Sequence, residues 1–294
     1  MTSLIFLIAS IILTSWLTIS FKFVERFNIN NLQAIVFNYI TCVITGSFVH
    51  GSFPLKQITA GEDWLPWALV MGGAFISLFT LVAFTAQKIG VSVAVVAYKL
   101  SLIIPFLFSL VYYGEPYTAW KIAGVALALA AVVLTSYPSG KREGEKSISF
   151  VMWLLPLVLF VGSGMLDGMI KFVEQEFVDQ SNQDIYLITA FSSAALIGIC
   201  ILSAAFITGK QRFDPRAIIA GMAIGIPNYF SIRCLMHALK GYTGNSSAII
   251  PINNMGIVLI SAIVAWLVFK EKLSLMNWMG IVLSLAAISL IAFG

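Results

Sequence analysis

The sequence predicts an all-α polytopic membrane protein with ten transmembrane helices, arranged as two inverted five-helix repeats. Three observations carry that prediction. The chain is 60% hydrophobic and 10% charged, with a mean hydropathy of +0.96, whereas soluble domains average about 25% charged residues. Apolar runs of about 20 residues, the length that crosses a bilayer, recur from end to end. Segments of the first half also recur in the second.

The expected spans are roughly 3–22, 32–51, 66–87, 91–112, 117–137, 149–171, 184–207, 215–239, 245–268 and 273–293. Span one starts almost at the first residue. It lacks the basic n-region and small-residue cleavage site of a signal peptide, so it reads as a retained helix. The connections are short and leave no room for a soluble domain. The most polar of them, "SGKREGEKS" (139–147), separates two halves: residues 1–140 and 149–294, with 141–148 as linker. Cys42, Cys200 and Cys234 all fall in apolar segments without a CxxC pair, which implies packing thiols and no metal site or other cofactor.

The halves resemble each other in detail. "KFVE" ends span one (22–25) and span six (171–174). "GEPYTAWKIAGVALALAAVVL" (114–134) aligns without gaps on "KEKLSLMNWMGIVLSLAAISL" (270–290), bringing Glu115 onto Glu271 and Gly124 onto Gly280. Five helices per half is an odd number, so the second half enters the membrane upside down. Inverted repeats with a substrate site between them at mid-membrane are a hallmark of secondary transporters.

On this duplication and the acidic turns "YYGEPYTAWKIAG" and "VFKEKLSLMNWMG", the chain resembles the drug/metabolite transporter superfamily, in its ten-helix EamA-type branch. The resemblance implies a bundle that carries small metabolites or drugs by alternating access, often as an exporter. Small four-helix relatives couple to protons through a glutamate in the first helix; span one here contains no acid.

Polar residues inside the spans are the candidate site. Call side A the face reached by the connections after spans one, three, five, seven and nine, and side B the face holding both termini. Lys99 lies about 12 Å from side A at 1.5 Å per residue, where a cation costs at least a few kcal/mol. Tyr98 is expected to point elsewhere, because adjacent residues do not share a helix face. The repeat alignment sets Tyr98 on Asn254 and Ala97 on Asn253, and Pro251 suggests an irregular helix there lining a cavity. Interhelical hydrogen bonding is the alternative for the asparagines, and a structural salt bridge the alternative for Lys99. Trp16 is deep enough to stack on a ligand, and Asn228 and Tyr229, after Pro227, are candidate cavity wall or hinge. Arg233 and Asp167 have similar depths near side B, so they are expected to pair as a structural or gating latch, with Lys171 competing for Asp167. His237 and Trp153 read as interfacial residues. The GxxxG spacings at 164/168 and 221/225 read as packing surfaces. Ser163, between glycines, has no base at its depth, and no clustered nucleophile, base or metal set points to an enzyme.

Eleven basic residues fall on side A against Lys56, Lys121, Lys171 and Lys240 on side B. The positive-inside rule therefore puts side A in the cytoplasm and both termini outside, while the family resemblance implies termini inside. Lys99 and Arg233 outnumber Asp167 within the spans. That surplus favours an anionic or zwitterionic metabolite, an amino acid or organic acid, exported across a bacterial inner membrane. The expected partners are that solute, the lipid bilayer and a coupling proton or counter-substrate, with no nucleic acid, and the expected state is a monomer. Broad efflux of amphipathic drugs is the alternative and predicts Lys99 latched to another helix. A membrane-embedded enzyme or a receptor is the reading from another class.

Overall fold

In a computed structural model, residues 2–54, 61–88, 98–135, 150–179, 181–242, 248–269 and 274–293 are described. They form ten helices: α1 (Thr2–Arg26), α2 (Asn31–His50), α3 (Leu65–Lys88), α4 (Ile103–Tyr112), α5 (Ala119–Thr135), α6 (Phe150–Glu176), α7 (Gln183–Ile207), α8 (Arg216–Lys240), α9 (Ile249–Phe269) and α10 (Leu275–Phe293). By length and composition, four of the described helices are long and apolar enough to cross a membrane: α2, α3 as far as Val82, α7 and α8. The expected linker 141–148, Lys56, Ala97 and the Glu271 turn lie outside the described residues.

Local chemistry sets the helix ends. Asn30 caps α2 by accepting the Gln33 N–H at 3.1 Å. Gly51 closes the same helix at φ +86°, a left-handed conformation that costs a glycine little. The two "KFVE" copies end their helices alike. The Ile29 N–H reaches Val24 O at 2.9 Å, and the Val178 N–H reaches Val173 O at 3.1 Å.

Apolar side chains face outward as well as inward. On α1, Ile8, Ile12 and Trp16 follow an i, i+4 stripe and are exposed, while Leu7, Ile11 and Ser15 are buried. An exterior of isoleucine and tryptophan is what a hydrocarbon surround selects.

The major helix contacts cross between the halves. α1 packs on α8 and α9, α2 on α7 and α8, α3 on α7 and α6, α4 on α6, and α5 on α10. A Cβ on Gly46 of α2 would lie 2.6 Å from Ile188 of α7, and one on Gly198 of α7 would lie 2.9 Å from Val36 of α2. Gly72 of α3 likewise meets Ala190 O and Ser193 of α7, while Gly225 of α8 meets Asn38 O and Thr41 of α2. The same shift in position carries 46 to 198, 36 to 188, 38 to 190 and 41 to 193.

Two large cores result, with a small third cluster of Leu17, Val24, Ala34 and Ile224 between α1, α2 and α8. The larger joins α1, α2, α3, α6, α7, α8 and part of α9 around Tyr39, Phe75, Phe191 and Tyr229. The smaller joins α4, α5, α9 and α10 around Leu102, Phe106, Val132 and Met255.

Two sequence expectations about backbone are corrected. α9 runs without interruption from Ile249, because Pro251 occupies its first turn, where a missing N–H breaks nothing. The irregularity lies instead around Lys99. Residues 98–100 are helical, 101–102 form a turn, and α4 starts at Ile103. Pro105 has no N–H for the Ser101 carbonyl, which takes the Ile104 N–H at 2.9 Å instead. The Leu102 N–H bonds Lys99 O at 3.3 Å, and Ser101 Oγ donates to Tyr98 O at 2.5 Å.

Candidate functional site

This turn brings Lys99 to the seam of the two cores. Leu102 belongs to the smaller core and Tyr98 packs against the larger. Lys99 is 5% exposed and donates through Nζ to Asn254 Oδ1 at 3.2 Å. The same amide donates through Nδ2 to Asp167 Oδ2 at 3.1 Å. Asn254 therefore stands between an ammonium at its carbonyl end and a carboxylate at its amino end. Its dipole is aligned with both, and the two charges reach each other through it. Lys99 Nζ also lies 4.4 Å from the Tyr98 ring centroid, so the lysine stem folds back over its neighbour. That corrects the expectation that Tyr98 points elsewhere.

Asn253 is buried beside Asn254, and its Oδ1 has no hydrogen-bond partner. An orphaned acceptor at that depth is costly unless a water or ligand group completes it. Gly168, the residue after Asp167, is buried, yet a Cβ built on it would meet nothing within 4 Å. Unfilled space thus flanks the acid.

The other expected site residues lie elsewhere. Arg233 pairs with Asp184, not Asp167: Nε to Oδ1 is 2.6 Å and Nη2 to Oδ2 is 3.0 Å. Asp184, in the first turn of α7, is level with Arg233 on side B, whereas Asp167 is held deeper by Asn254. Tyr229 donates its hydroxyl to the same Asp184 at 3.0 Å. Asn228 donates to Asn38 Oδ1 at 3.1 Å, tying α8 to α2. Both residues hold helices together here rather than facing an open wall. Lys171 does not compete for Asp167. It is fully buried and bonds Glu115 Oε1 at 2.8 Å and the Ser109 hydroxyl, linking α6 to α4 and its following turn.

Trp16 is the clearest displacement. It is 45% exposed on the outer stripe of α1, and its Nε1–H donates to Ala223 O at 3.0 Å. Ala223 lies four residues before Pro227, so its carbonyl is the one the proline leaves without a helical N–H. The indole fills that vacancy. Asp184 and Asn38 went unnoticed in the sequence; Asp184 sits on a predicted span boundary, where depth is hard to judge.

A helical bundle with an apolar exterior, whose seam holds a buried ammonium joined through an amide to a half-buried carboxylate, is an integral multi-pass membrane protein. The profile of the EamA-like transporter family matches residues 147–293, and the chain belongs to that family, within the drug/metabolite transporter superfamily. The chain is 26% identical over 287 residues to an uncharacterized protein of Haemophilus influenzae, covering 96% of this chain and 95% of that one. A solved crystal structure superposes with a TM-score of 0.72 at 13% identity, over 99% of this chain and 98% of the other, so the fold is shared.

Proposed function

We propose that the chain is a ten-span secondary carrier built from two inverted five-helix repeats. It moves a small zwitterionic or anionic metabolite, of the amino-acid or organic-acid class, outward across a bacterial inner membrane as a monomer. The observation that carries this reading is the Lys99–Asn254–Asp167 chain at the seam between the cores. Arg233 is neutralised by Asp184, so the surplus of buried cations inferred from the sequence does not hold. What remains is one cation and one anion held apart by an amide, a complement to a solute bearing both charges. A zwitterion replacing the Asn254 bridge would satisfy Lys99 with its carboxylate and Asp167 with its ammonium.

The crossed helix pairs support the inverted repeats: exchanging the first five helices with the last five turns α2–α8 into α7–α3 and α1–α9 into α6–α4. The matched glycine contacts support them residue by residue. The two large cores share α9, which carries Asn254, and a site at that seam supports alternating access about it.

The hydrogen bond from Lys99 to another helix favours a second reading, efflux of amphipathic drugs with Lys99 as a latch. Counterflow in proteoliposomes decides, using labelled amino acids, organic acids, phosphorylated metabolites and cationic dyes in parallel. Exchange of a zwitterion that is lost in both Lys99→Met and Asp167→Asn is expected. Exchange of cationic dyes alone, undiminished in Lys99→Met, would leave the drug reading standing and remove the metabolite one.

A further inference from the structure

On α6, Asp167, Lys171 and Glu174 follow each other at i, i+4 and i+7, so one face of the helix runs from the central site to side B. α4 runs alongside. Lys99 precedes its start, while Ser109 and Glu115 near its other end hold Lys171. At the end of this stripe sits Glu174, 1% exposed, with neither carboxylate oxygen hydrogen-bonded. Lys240, at the end of α8, is its counterpart: Nζ is buried and also without a hydrogen-bond partner.

A buried carboxylate with no donor is costly. The groups around it leave the demand open. On its own helix, Lys171 is committed to Glu115 and Ser109. From α8, Lys240 acts on it only at longer range and is shared with Asp179. From the turn after α4 comes the Tyr113 ring, which lies 5.2 Å from Lys171 Nζ and whose hydroxyl senses Glu174 and Glu176. α3, also packed on α6, has no charged residue between 65 and 87. Both oxygens are buried without a donor, and a proton bound to one of them removes the charge that makes this arrangement costly.

We propose that Glu174 is the carrier's proton-binding residue, linked to the solute site by the polar face of α6. The proposal rests on the transporter reading. The step is a transfer from hydronium to the carboxylate when a side-chain rotation at side B admits water: one O–H bond of hydronium breaks, the carboxyl O–H bond forms and one water is released, and the reverse transfer returns the proton to water. Loading changes the charge facing Lys240 and Lys171, and hence the hold of α6 on α4 and α8.

The experiment is an infrared titration of the purified, solubilised protein from alkaline to acid pH, followed by uptake of a labelled amino-acid mixture into proteoliposomes under an imposed pH gradient. Of the carboxylic C=O bands that appear on acidification, one is expected to be missing in Glu174→Gln. In Lys240→Met the band should appear at more alkaline pH, because a nearby cation has gone; this second variant guards against a misfolded first one. Gradient-driven uptake is expected in the wild type and lost in Glu174→Gln. A set of titrating carboxyl bands that is the same in wild type and Glu174→Gln and unmoved in Lys240→Met overturns the proposal, as does gradient-driven uptake that persists in Glu174→Gln. Wild-type vesicles that move no amino acid under any gradient count instead against the proposed substrate class, and the infrared result still decides Glu174.

Discussion

Lys99, Asn254 and Asp167 could be picked out from the sequence because each is a costly group at membrane depth. Their connection could not, since it depends on Pro105 breaking the helix behind Lys99 and turning the lysine toward α9. Arg233 shows the opposite failure: depth counted along the chain cannot rank two carboxylates, and the partner lay on a helix end. Trp16 was legible as a polar-tipped aromatic but not as the donor for Ala223 O, although Pro227 announces an orphaned carbonyl four residues earlier. Because hydrocarbon offers that carbonyl no substitute, Trp16→Phe should destabilise the protein by about 1–3 kcal/mol. Thermal unfolding of the purified variant checks this, and an unchanged midpoint would show that the indole bond contributes nothing.

At the scale of the element, the two GxxxG spacings behave differently. Gly221 and Gly225 let α8 touch α2, with Cβ positions 2.4 Å from Phe37 Cβ and 2.5 Å from Asn38 O. Gly164 does the same for Ile104, whereas Gly168 faces space. Gly225→Ala should therefore cost about 1–3 kcal/mol through overpacking. Gly168→Ala should be neutral or stabilising by up to about 1 kcal/mol from helix propensity. Comparing the two unfolding midpoints tests the contrast; equal losses would mean that the open space is filled. The side-A start of α8 adds a pH-dependent element. The Arg216 side chain, hydrogen-bonded at 2.9 and 3.0 Å, holds the Asp214 carboxyl below the usual carboxylate range, helped by the Arg216 N–H. The stabilisation is present above the ordinary carboxylate pKa and is lost as pH falls through the lower folded value. Protection of the Arg216 and Ala217 amides, relative to their intrinsic exchange rates, should fall over that acidic window in the wild type and show no such fall in Asp214→Asn. The irregular segment was expected at Pro251 and found at Lys99, because a proline's effect depends on whether a helical turn precedes it.

Across the whole molecule, the described helices fall where hydropathy put the expected spans, but their partners were not legible. Periodicity marks which face of a helix is apolar, and in a membrane both faces are. The aligned sequence segments, KFVE and 114–134 with 270–290, do not include the helices where Gly46 meets Ile188 and Gly198 meets Val36 in matched fashion. The prevalence of contacts between halves predicts that residues 1–140 expressed alone stay protease-sensitive in the membrane. Co-expression with 141–294 should restore resistance; a resistant first half would contradict it. There is a further consequence, in time rather than space. At about 5–20 residues per second, synthesis of the second half takes on the order of ten seconds. Throughout that interval α1, α2, α3 and α5 are without the second-half helices they will pack against. The newborn chain must be sheltered by lipid or by the insertion machinery until its own second half arrives, which makes the rate of translation through that half a determinant of yield.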